Sequence, residues 1–156
     1  MKPVYRGAVV ALLQCVLVLS VAGKYQLDRE RLPRVWTKTA ANDPNLFVRG
    51  RYVSLQLDVD AAMPVPAVWQ AARLSIVDGR LTASPDPSGS VHIAARGGGW
   101  VIVEPVAYFI PESVPDPTVR HPGEELWVEV SVPAKGAPRP IRLGVKKDGV
   151  LTPLEF

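Results

Sequence analysis

The chain has 156 residues, 47% of them apolar and 21% charged, with a formal net charge of +3. This length sets a prior of one globular domain, and this balance of apolar and charged residues excludes wholesale disorder. Lysines and arginines are scattered among acids, so the basic stripe that nucleic-acid binding needs is missing.

The N-terminus is the clearest physical statement in the chain. Residues 7–23 (GAVVALLQCVLVLSVAG) hold no charge, and Gln14 and Ser20 are the only polar breaks between Gly7 and Gly23. Lys2 and Arg6 precede the run; Lys24, Arg29, Arg31 and Arg34 follow it. As a helix rising 1.5 Å per residue it spans about 25 Å, the short limit for crossing a bilayer. Val4 and Tyr5 extend it, and Tyr5 and Tyr25 fall where interfacial anchors belong. The favoured reading is an uncleaved transmembrane anchor. The competing reading is a cleavable signal peptide, because Ser20-Val21-Ala22 satisfies the small-x-small rule before Gly23. Either way the chain is addressed to the lipid bilayer.

Positive charge is heavier on the C-terminal side of this run, which by the positive-inside rule favours a cytoplasmic domain. Long following domains translocate largely regardless of charge, however, and a basic start with an apolar core is what a secretion machinery reads. The expected location of the domain is therefore outside the cytoplasm. Cys15 is the sole cysteine, so no intramolecular disulfide and no Cys-rich zinc site can form. Gln14 before it, with little apolar sequence ahead, excludes a lipoprotein anchor.

After a charged linker at residues 24–33, the pattern turns to strands. Sixteen prolines, about twice average usage, fall mostly between apolar runs and favour short strands and turns over long helices. Residues 34–39 alternate polar and large β-forming side chains, and Asn42, Asp43 and Pro44 supply a turn. Residues 51–60 form a strand of strict alternation, with Val53, Leu55, Leu57 and Val59 on one face and Tyr52, Ser54, Gln56 and Asp58 on the other. Residues 67–72 are read as one short helical turn. Residues 73–77 and 80–84 flank Asp78-Gly79, a two-residue type I′ hairpin signal.

A further strand covers residues 91–95, and Gly97-Gly98-Gly99 leads into residues 100–110. That run is apolar on both parities except at Glu104-Pro105, which reads as a buried central strand with a bulge or bend. Residues 111–123 hold four prolines and form a loop. Residues 125–132 alternate Leu126, Val128, Val130 and Val132 inward against Trp127, Glu129 and Ser131 outward. Ile141, Leu143 and Val145 make another inward face, and Asp148-Gly149 closes a last hairpin into residues 150–156. Eight or nine short strands predict an all-β fold, an antiparallel β-sandwich or small barrel preceded by one N-terminal transmembrane helix. The expected division is residues 1–32 for anchor and linker, and 33–156 for the β-domain.

Few constellations suggest chemistry. Membrane-anchored all-β peptidases pair a serine after the anchor with a lysine on a strand, and here Ser54 is the nearest candidate, with Lys135, Lys146 or Lys147 distant in sequence. Asp86, Ser88 and His92 are close in sequence, which is no guarantee of triad geometry. His121 stands in the Pro-rich loop without spacing to His92 that a metal pair needs. Asp58 and Asp60 share a strand face and could hold a cation, though solvating a strand end is the commoner role. Gly97-Gly98-Gly99 opens a strand, so it lacks the helix N-terminus a phosphate loop uses. No catalytic, cofactor or metal residue is assigned, and a non-enzymatic role is favoured over a hydrolase.

The order Gly50-Arg51-Tyr52-x-x-Leu55-x-Leu57 resembles the signature of the GDYXXLXY family of bacterial membrane-anchored envelope proteins. The resemblance takes in the N-terminal anchor, Asp43-Pro44, the segment Tyr108-Phe109-Ile110-Pro111-Glu112 and the late strand Leu126 to Val130. The chain departs from the signature at Arg51, where the family has Asp, and at Leu57, where it has Tyr. Members look like single-anchor proteins often encoded beside, or joined to, a polytopic membrane protein. The resemblance therefore implies an inner-membrane anchor, a periplasmic domain and a polytopic membrane partner. Read physically, Gly50 serves a tight backbone, Tyr52 a buried ring with a polar handle, and Leu55 and Leu57 the core. The motif can thus specify the fold, or a docking surface with exposed Trp36, Trp69 or Trp127.

Overall fold

A computed structural model of the chain describes residues 3–41, 52–61 and 69–156, with residues 3–6 and 28–30 described in their backbone alone. Two compact units are distinguished, Met1–Leu32 and Pro33–Phe156.

The first unit is helix α1 (Pro3–Arg31). Within it Gly7–Leu27, 21 residues with a mean hydropathy of 2.0 and no buried part, is long and apolar enough to cross a membrane. The span runs past Gly23 to Leu27 because Tyr25 and Leu27 continue the apolar run around Lys24. Valines are poor helix formers in water, but in hydrocarbon a segment must satisfy its own backbone polar groups, which a helix does. Ser20 obeys the same rule, its hydroxyl donating to the Leu17 carbonyl at 2.8 Å.

The second unit is a ten-stranded, almost wholly antiparallel sheet. In chain order it comprises β1 (Arg34–Ala41), β2 (Tyr52–Val59), β3 (Gln70–Val77), β4 (Arg80–Pro85), β5 (Val91–Arg96), β6 (Gly99–Ile102), β7 (Val106–Phe109), β8 (Glu124–Ser131), β9 (Arg139–Lys147) and β10 (Val150–Pro153). The spatial order is β10-β9-β8-β1-β2-β6-β5-β3-β4, with β7 also on β2. The sheet curls. Asp60, just past β2, donates its N–H to the Leu81 carbonyl at 2.9 Å and accepts the Ala83 N–H at 2.8 Å. These two bonds bring the β4 edge back onto the end of β2, so one arm of the sheet closes on itself like a small barrel. The all-β, barrel-like architecture expected from the strand spacing is the one adopted.

β2 is the spine. Val53, Leu55, Leu57 and Val59 are buried, Leu55 and Leu57 completely, while every second residue is half-exposed. Ala72, Val91, Ile93, Ile102, Val128, Val130 and Leu143 join them in the fully enclosed core. The type I′ turn expected at Asp78-Gly79 is present, with φ of 50° and 71°.

Residues 100–110 are interrupted as expected. Asp58 faces Val101 and Leu55 faces Val106, so two residues of β2 (56 and 57) lie opposite four (102–105). The two extra residues split the run into β6 and β7, which is why ten strands form where nine were counted.

Two expectations need correction. The helical turn at 67–72 does not form over its described part, since Gln70, Ala71 and Ala72 belong to β3, paired with β5. Glu129 and Ser131, on the outward face of β8, are 8% and 4% exposed. β8 lies between β1 and β9, and Arg142 Nε donates to Glu129 Oε2 at 2.7 Å across its outer face. Strand alternation reads which face a residue takes, not what then covers that face.

Candidate functional site

Gly50 and Arg51 lie outside the described residues. Of the remaining motif residues, Leu55 and Leu57 are wholly core. Tyr52 is different: it stands half-exposed on the outer face of β2, directly opposite Phe109 of β7. The two rings meet tilted at 53°, their centroids 6.0 Å apart, within the range aromatic pairs prefer. Phe109 is 72% exposed. Antiparallel pairing places this aromatic pair three residues beyond the Ala41–Leu55 partners, at the end of the sheet away from Arg34.

Of the tryptophans considered for an exposed patch, Trp69 stands apart from Trp36 and Trp127. Trp69 is 59% exposed and lies parallel to His92, with centroids 3.9 Å apart and 8° between planes. His92 Nδ1 is 2.5 Å from Glu104 Oε1, and the His92 N–H donates to Glu104 Oε2 at 3.0 Å. Burial pushes the Glu104 carboxyl up, but the hydrogen bonds from the His92 backbone and ring outweigh it and hold the group below its ordinary value. Glu104 thereby pins the bulge between β6 and β7 to β5.

Trp36 and Trp127 instead line a groove of about 770 Å³, together with Trp100. Strand register builds its floor: Trp36 and Lys38 project from β1, Asp58 from β2 and Trp127 from β8. The Asp78-Gly79 and Gly97-Gly98 turns form one wall. Lys38 Nζ donates to Glu125 Oε1 at 2.7 Å, and Trp127 Nε1 donates to Glu125 Oε2 at 3.1 Å. Both bonds lower the Glu125 carboxyl below its usual value, and the first raises Lys38. Lys146 Nζ sits 4.4 Å from the Trp127 ring centroid. Asp58 accepts no hydrogen bond at its carboxylate among the described residues, and burial pushes it up, against the opposing pull of Lys38.

The other candidates are dispersed. Ser54 faces Ala107, and no hydrogen bond joins it to a lysine among the described residues. Lys146 lies on Trp127, Lys147 on Glu124, and Lys135 lines a small cavity of about 150 Å³ with Ser88 and Ser90. In that cavity Ser90 Oγ accepts the Gly136 N–H, while Ser88 Oγ donates to Asp86 at 2.7 Å in a local turn. His92 is committed to Glu104, so Asp86, Ser88 and His92 do not assemble as a triad. Asp60 pairs with Arg80 at 3.4 Å, and His121 is engaged through its N–H with Glu124. Among the described residues no cluster of three or more His, Cys, Asp or Glu is arranged to hold a metal ion.

Sequence reasoning missed Phe109 as the partner of Tyr52. The signal was there in part, because Val106, Tyr108 and Ile110 alternate inward and leave Phe109 outward. Which strand it opposed needed the register. The chain matches no known protein family, no curated protein and no solved structure.

Proposed function

We propose that this chain is a single-pass protein of the bacterial inner membrane whose periplasmic β-domain is a non-enzymatic docking module for a polytopic membrane protein. One observation carries the reading: the exposed Phe109–Tyr52 pair on a β-domain that follows a helix long and apolar enough to cross a membrane. Aromatic side chains are enriched at binding surfaces, where large rigid rings bury area at low entropy cost. The resemblance of residues 50–57 to an envelope-protein signature supports the same partner class, because Tyr52 belongs to both the signature and the exposed pair. A hydrolase reading has less support, as Ser54 faces Ala107 and no hydrogen bond joins it to a lysine among the described residues.

The test is mild-detergent purification of the tagged full-length protein with mass spectrometry of what accompanies it. A stoichiometric polytopic protein that is lost on Tyr52→Ala, in a domain that remains folded, supports the proposal. A lone monomer in both forms contradicts it.

A further inference from the structure

At the other end of β2 from Tyr52, the tryptophan-lined groove has a composition of its own. We propose that it binds a neutral oligosaccharide chain, with a sugar face stacked on Trp36 and sugar hydroxyls bound by Asp58 and the paired charges beside it. The inference is independent of the docking reading, since it uses different residues.

The volume of about 770 Å³ falls in the roughly 300–1,000 Å³ range of small-ligand clefts, and the groove is open to solvent, which suits a chain. Three of the four tryptophans of the protein line it. The ring of Trp127 is covered by Lys146, and Trp100, opposite the buried Val59, packs against the core, which leaves the half-buried Trp36 as the platform. Trp36 is held by two residues that do not line the groove. Its benzo edge rests on Gly144, where an added Cβ would stand 2.9 Å from Cζ3, and the Arg142 guanidinium lies 5.4 Å from its centroid. A pyranose ring offers a face of weakly positive C–H groups, complementary to the negative face of an indole.

The charges of the groove point the same way. Its four cationic side chains are matched by four carboxylates, so it has no net field to attract a polyanion or a polycation. Two of these pairs, Lys38–Glu125 and Arg80–Asp60, present a donor beside an acceptor. A hydroxyl both donates and accepts, and so is satisfied by such a pair where a phosphate or an ammonium is not. Asp58 adds a carboxylate on the floor whose oxygens have no protein donor among the described residues, its main-chain carbonyl being taken by the Thr37 hydroxyl.

The experiment uses the full-length protein in a detergent without a sugar headgroup. Calorimetry and saturation-transfer NMR follow binding of β-1,4-linked tetrasaccharides of glucose and of N-acetylglucosamine, with inorganic polyphosphate as the charged comparison. Saturable binding of either sugar is expected, weakened about tenfold or more by Asp58→Asn and by Trp36→Leu, and unchanged by Trp69→Leu outside the groove. Should Trp36→Leu fail to fold, Asp58→Asn and the Trp69→Leu comparison still decide. No binding of either sugar at about 10 mM, ten times a roughly 1 mM dissociation constant, overturns the proposal, as does polyphosphate binding in their place.

Discussion

Gly89 and Gly144 both stand where a side chain would collide, and the two collisions differ in kind. A Cβ on Gly89 would lie 2.3 Å from the Ala72 carbonyl oxygen, so the turn after β4 would have to lift off the backbone of β3. A Cβ on Gly144 meets Trp36 Cζ3 at 2.9 Å and the Thr152 carbonyl at 3.1 Å, and the indole can give. Overpacking costs typically about 1–3 kcal/mol, so Gly144→Ala belongs in that range and Gly89→Ala at or beyond its top. Urea unfolding of the two variants, with slopes unchanged, checks the order. Two carboxyls carry opposite pH signatures. Asp58 has its pKa raised in the fold, so its contribution is present below its unfolded value of about 3.9 and is lost as pH rises through the folded value. Asp58→Asn is therefore expected to be more stable than wild type at neutral pH, with the gain vanishing near pH 3. Glu104 is lowered, so its contribution is present above about 4.3 and is lost as pH falls through the folded value. Glu104→Ala should cost about 1 kcal/mol or more at neutral pH, because it leaves the His92 N–H without its acceptor, and less in acid. Thermal melts at both pH values separate the two signs.

At the scale of the element, what the sequence made legible is what depends on local chemistry alone. The alternation Val53-x-Leu55-x-Leu57-x-Val59 was readable because burial on one face of a strand imposes period two. Asp78-Gly79 was readable because a type I′ turn needs two residues at positive φ. Replacing Gly79 by alanine keeps the turn but imposes the left-handed region on a Cβ, at about 1–2 kcal/mol, with nothing nearby to relieve it. A fall in the unfolding midpoint with no change in the core would be the result. The groove and the aromatic pair were not legible for a complementary reason. Lys38, Asp58 and Trp127 become neighbours through pairings that link residues up to 89 positions apart (127 − 38), and nothing local fixes such a register. The closure at Asp60 is likewise a long-range bond to Leu81 and Ala83 in an otherwise antiparallel sheet, and no composition signals it. The Pro105 interruption was visible, yet its effect, two extra residues against β2, emerged only with the partner strand in place.

At the scale of the whole molecule, the proposed function divides two tasks between the two units. Among the described residues every buried core residue belongs to the unit Pro33–Phe156, and none in the apolar span Gly7–Leu27 is buried. The β-domain should therefore fold without the helix. Residues 33–156 expressed alone are expected to melt cooperatively, within a few degrees of the full-length protein in detergent. Under the proposed function the helix, none of whose apolar span is buried, serves the bilayer and the domain serves recognition. That division makes the exposed Phe109 the most direct place to interrogate. A photo-crosslinking residue at Phe109, compared with one at Val77, which is also exposed but lies on the β3–β4 hairpin, reads the surface in intact cells. The account predicts a discrete crosslink from Phe109 to an integral membrane protein, abolished by Tyr52→Ala and absent from Val77. Equal labelling from both positions, or none from Phe109 while the protein is folded and membrane-bound, would contradict it.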